Sequence, residues 1–134
     1  MISKRWLRYT LGVILGGCAG LSLTATILPL ALSVAGMKED FMIRWDLGGY
    51  AAHCVLAFAL GGWLIARVGR SLIGPLILGG VGILCGAALG LVVYEGVLEW
   101  TMFMAVAAGA YGTIGGLLLG HVLQKPEDAT TAPK

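Results

Sequence analysis

The sequence predicts an all-α polytopic membrane protein, an antiparallel bundle of four transmembrane helices held together by glycine-zipper packing. Three observations carry this reading. Hydrophobic residues make up 58% of the chain and charged residues only 12%, against roughly 25% charged in a soluble domain, so there is too little polar surface to coat a globule in water. The charge-free stretches fall at residues 9–37, 47–66, 71–94 and 100–124, each long enough for a hydrocarbon core that takes about 20 residues of helix to cross. Glycine accounts for 22 residues, well above its usual share of roughly 7%, and it recurs at fixed steps inside these stretches.

None of the four stretches alternates apolar and polar residues as a barrel strand does. In lipid, an unpaired backbone N–H or C=O has no partner, so helices are the expected form. The first span holds Pro29, which should kink it. Thr24, Thr26 and Ser33 can supply hydroxyls to the carbonyls a proline leaves free. The span begins like a signal peptide, and Leu15-Gly16-Gly17-Cys18 has the look of a lipoprotein cleavage box. Residues 19–37 then stay apolar, where a cleaved lipoprotein would have a polar tether, so the span is expected to remain as an uncleaved helix.

The connections at 67–70 and 95–99 are short, which sets the third span antiparallel beside the second and the fourth. The connection at 38–46 is longer. Its Phe41, Met42, Ile43 and Trp45 are apolar enough to lie in the interface as a short turn of helix. Residues 1–8 form a basic cytoplasmic N-terminus, and residues 125–134 a polar tail expected to be disordered in the cytoplasm.

Orientation follows from the cations. Lys4, Arg5, Arg8, Arg67, Arg70, Lys125 and Lys134 fall on one side, against Lys38 and Arg44 on the other. The positive-inside rule then puts both termini in the cytoplasm of a bacterial-type inner membrane. Trp6, Tyr9 and Trp63 mark the inner boundary, and Trp45, Tyr50, Tyr94 and Trp100 the outer one, as interfacial rings do. A net charge of +2 without a basic stripe excludes a nucleic-acid partner.

Gly12, Gly16 and Gly20 recur every fourth residue in span one, Gly82, Gly86 and Gly90 in span three, and Gly112, Gly116 and Gly120 in span four. Span two offers Ala57 and Gly61 at the same spacing. A four-residue step keeps these on one face, where missing side chains let backbones approach. Such faces serve the bundle itself, and at least one is expected to bind a second copy or a larger membrane complex. Ile14 to Leu21 and Ile83 to Gly90 also look alike, as in a duplicated hairpin.

No Asp, Glu, Lys or Arg lies mid-span, whereas a proton-coupled transporter normally holds an ionisable residue there. No nucleophile–base set or phosphate loop is visible, so no enzyme and no cofactor is expected. His53 and His121 lie toward opposite sides and have no ligand-spaced neighbours, which argues against haem or a metal. Cys18, Cys54 and Cys85 form no CxxC and read as small buried hydrophobes. What polar chemistry remains is a candidate outer site of Asp46, His53, Glu95 and Glu99. Straight-helix arithmetic puts His53 and Glu95 about 16 Å out of level, which brings His53 nearer to residues 89–93 than to the Glu95 carboxylate.

Pro29, Asp46, His53 followed by Leu60-Gly61, Glu95, and the Gly116 and Gly120 pair form a set that resembles the VanZ-like family of small four-span membrane proteins. That family carries a proline late in span one, an acid before span two, a His and a Leu-Gly pair within it, a Glu late in span three and a Gly-rich fourth span. The spacing from Asp46 to His53 is longer than the family's, Leu98 stands where it has Gln, and its Arg, Asp and Asn around span four have no counterpart. The resemblance implies a cell-envelope protein with an outer polar site. Gly16-Gly17-Cys18-Ala19-Gly20 and Tyr94-Glu95 are similar in layout to small fluoride channels, though His53 stands where those have Asn. The sequence therefore reads as a non-enzymatic accessory or assembly subunit, with a VanZ-like envelope protein and a small channel or transporter as the alternatives.

Overall fold

The computed structural model describes residues 2–27, 47–93 and 97–124, with Leu30 and Val34. All described regular structure is helical. Helix α1 (Ile2–Ser22) runs into a π-turn (Leu23–Ile27), and α2 (Leu47–Val68), α3 (Ile73–Val93) and α4 (Leu98–Val122) follow. Four helices are long and apolar enough to cross a membrane. The connection at 38–46, the tail at 125–134, Pro29 and Ser33 lie outside the described residues.

The helix ends have local causes. The Thr24 hydroxyl donates to the carbonyls of Gly20 at 3.0 Å and Leu21 at 3.1 Å. It thus engages the backbone where the ladder widens into the π-turn, and such turns bend a helix. α2 stops at Gly69, whose φ of 71° is the left-handed conformation that glycine adopts without a Cβ penalty. Its N–H closes onto the Ile65 carbonyl at 2.8 Å. Pro75 sits in the first turn of α3, where a missing N–H costs no helical bond. Glu99 occupies the first turn of α4 and His121 the last, and an acid in the first turn suits the positive end of the helix dipole.

α3 packs most extensively on α4, and α1 on α2, while the α2–α3 contact is much thinner and α4 touches α1 and α2 only lightly. The molecule is thus two tight hairpins joined by a thin seam. Its core, which includes Phe58, Ile65, Leu78, Leu89 and Met104, is small. Only 28% to 33% of the residues in each span's apolar window are buried within the chain. Leu56, Leu60, Leu76, Leu84, Val106, Ile114 and Leu118 all face outward. Apolar surface on this scale belongs in lipid, and the chain reads as a multi-pass membrane protein.

Candidate functional site

The glycines place the backbones of each hairpin in direct contact. A Cβ built on Gly12 would lie 2.5 Å from the Gly62 carbonyl oxygen, one on Gly16 would fall on the Phe58 carbonyl, and one on Gly20 would lie 2.8 Å from that of Cys54. Each step of four up α1 is matched by a step of four down α2. The second hairpin repeats the arrangement. Gly82 meets the carbonyl of Ala108, Gly86 that of Met104, Gly112 that of Leu78 and Gly116 that of Gly74. At its ends Gly90 faces the Thr101 Cα at 2.5 Å, and Gly120 the Ser71 carbonyl. Any side chain at these positions would push the helices apart.

Span two departs from the pattern read in the sequence. Gly61 turns to α3, where an added Cβ would lie 2.8 Å from Leu78 Cδ2, and Ala57 is half-buried. Gly62 is the residue that meets α1. Gly62 and Gly74 both belong to the close-contact set, and a rule that counts four-residue steps within one helix passes over both. Facing carbonyls define their role, and those come from the partner helix. Gly80 and Gly115 differ from the others, since nothing lies within 4 Å of a Cβ on either.

The candidate outer polar residues are not gathered by the described structure. Asp46 and Glu95 lie outside the described residues. Glu99 is exposed on the first turn of α4, and His53 is exposed on α2 beside the outward Leu56 and Leu60. Gly61 facing Leu78 fixes the register of α2 on α3, and it sets the free thiols of Cys54 and Cys85 level with each other. On that register His53 is level with Gly86, about a turn deeper than residues 89–93 at 3.6 residues per turn.

Polar groups that the sequence reading passed over do converge between the hairpins. The Tyr111 hydroxyl donates to the Ala19 carbonyl at 3.1 Å, and its ring lies 6.4 Å from that of Phe58. Cys54 is buried, Cys85 is half-buried, and Cys18 is exposed rather than buried. The free thiols of Cys54 and Cys85 interact with each other across the α2–α3 seam. The thiols are far apart in sequence, so spacing gave no sign of the pair. The hydroxyls of Thr10, Thr101 and Thr113 each bond the carbonyl four residues back, which satisfies them without a partner helix.

The first hairpin brings the cations of α1 and α2 to one end. Arg8 stacks on Tyr9 at 5.8 Å and Arg67 on Trp63 at 5.3 Å, near the level at which Gly12 meets Gly62 and Ala66. Comparison of the chain with protein-family models, with curated proteins and with solved structures gives no match.

Proposed function

We propose that this chain is a small non-enzymatic subunit of a bacterial-type inner membrane, an accessory or assembly component. In this reading it is an antiparallel four-helix bundle, glycine-zipped within each hairpin, with both termini in the cytoplasm. The basic ends of α1 and α2 lie on the cytoplasmic side and hold anionic headgroups.

The observation that carries the assembly role is the contrast among the glycines. Most are spent on close contact within the hairpins, but Gly80 and Gly115 face open space. A helix-interior glycine costs about 1 kcal/mol relative to alanine, and these two gain no contact inside the chain in return. Gly115 lies half-buried between Tyr111 and Leu119, which pack on the core, whereas Gly80 is exposed on the stripe of Leu76 and Leu84. Docking of another helix on the Gly80 face would supply the missing contact. The test is purification of the tagged chain in mild detergent. A stoichiometric second copy or second membrane protein supports the reading. A lone monomer that moves a solute when reconstituted in liposomes overturns it in favour of a channel or transporter.

One observation favours a second reading, a VanZ-like envelope protein. His53 places an imidazole on a stripe otherwise occupied by Leu56, Leu60 and Leu64, all outward-facing. An envelope phenotype that disappears in both His53→Ala and Glu95→Ala, with the protein still present in the membrane, would raise that reading above the first.

A further inference from the structure

We propose that Cys54 and Cys85 form an intramembrane binding site for a two-coordinate, thiophilic divalent cation of the mercury(II) class. On the register that Gly61 sets against Leu78, Cys54 of α2 and Cys85 of α3 stand level with each other across the seam. Cys54 is only 2% exposed, and the two free thiols interact with each other. Among the described residues no group of three or more His, Cys, Asp or Glu could hold a metal ion. Zinc takes four ligands in its structural sites and three plus water in its catalytic ones, so two thiols do not satisfy it. Soft thiolates with no third donor suit a d10 ion that prefers two collinear bonds.

Charge narrows the choice further. Cys85 packs against the apolar cluster that holds Phe58 and Leu89, and Cys54 is buried, a setting in which an unpaired charge is expensive. Binding of a divalent ion by two thiols forms two sulfur–metal bonds and releases two protons to water. The product, RS–M–SR, is neutral, and no electron is transferred. A monovalent silver or copper(I) ion on the same pair would leave a net negative charge in the membrane. The half-buried Cys85 gives the ion a way in from the lipid side, and the buried Cys54 closes the chelate.

The probe is mercury(II) chloride, added to the full chain in mild detergent. A Cys18→Ser background removes the exposed thiol. Retained metal is then measured after dialysis against excess of a small monothiol, which strips single cysteines. The Cys18→Ser protein should keep one ion per chain and lose two alkylatable thiols for each ion kept. Cys85→Ser and Cys54→Ser, each in that background, should release the ion on the order of 100-fold more readily, because chelation is intramolecular only in the pair. Cys85 is half-buried, so its serine variant keeps the test valid if Cys54→Ser fails to fold. Retention by either single-thiol variant equal to that of the pair overturns the proposal. So does loss of one thiol per ion, or a metal-linked dimer on a non-reducing gel. Equal retention of zinc or silver overturns the stated selectivity.

Discussion

The Tyr111 hydroxyl donates to the backbone carbonyl of Ala19 at 3.1 Å, joining two residues 92 positions apart. The same ring meets Phe58 at an interplanar angle of 45°. One side chain of α4 therefore reaches both α1 and α2, where helix-to-helix contact is slight. Tyr111 braces the second hairpin against the first.

That brace can be measured. Tyr111→Phe keeps the ring and removes the hydroxyl. Interhelical hydrogen bonds in membranes are worth about 0.6 to 2 kcal/mol, so the melting temperature in detergent should fall by a few degrees. Tyr111→Ala also loses the ring pair, about 0.5–1.5 kcal/mol beyond its area, and leaves a cavity, so it should fall further. Equal melting of all three proteins would mean that the hairpins are held by the α2–α3 seam alone.

Gly86 and Leu91 offer a paired test on one helix. A Cβ on Gly86 would fall on the Met104 carbonyl, so Gly86→Leu must separate α3 from α4. Overpacking of this kind costs about 1–3 kcal/mol or more. Leu91 is 57% exposed, and Leu91→Ala trades lipid contact for little. Detergent stability should rank wild type and Leu91→Ala close together and Gly86→Leu well below. The opposite order would place the glycine face of α3 in lipid.

The helical class and the number of spans were legible because lipid leaves a chain few options. A charge-free run of this length, with no unpaired backbone allowed, must be a helix. The glycine periodicity of α1, α3 and α4 was legible for a related reason, since a step of four returns to the same face. The direction of α2's glycines was not. Gly61 and Gly62 are adjacent and point to different neighbours, and only the packing of α2 between α1 and α3 assigns them. Cys54 with Cys85, and Ala19 with Tyr111, are register relationships between helices, which periodicity within one helix does not encode. Counting straight helices from the cytoplasmic turn puts His53 level with about residue 84, close to the Gly86 level that Gly61 against Leu78 sets, so depth was legible where facing side chains were not.

Orientation is open to chemical labelling. The chain's cysteines lie within the candidate spans, and a Cys18→Ser background removes the exposed one. A Glu39→Cys chain should therefore react with a membrane-impermeant maleimide from the outer side of intact cells and not from the inner side. A reporter fused after Lys134 and a tag before Lys4 should both report cytoplasm. Termini found on opposite sides would require an odd number of crossings and would break the cation-based assignment.

Gly80 separates packing within the chain from assembly between chains. It is exposed, and a Cβ there meets nothing within 4 Å. Gly80→Leu therefore removes no internal contact and adds a residue with better helix propensity. Alone, that gain is about 0.5–1 kcal/mol, so the isolated chain should melt at the same temperature as wild type or slightly above. If another helix docks on this face, the leucine blocks close approach, and the complex should dissociate or fail to co-purify. The two readouts move in opposite directions, which no general folding defect produces. A Gly80→Leu chain that is as stable as wild type and still carries its partner in full stoichiometry would remove this face from the interface. A lowered melting temperature would instead mean that α3 packs against its own chain at Gly80.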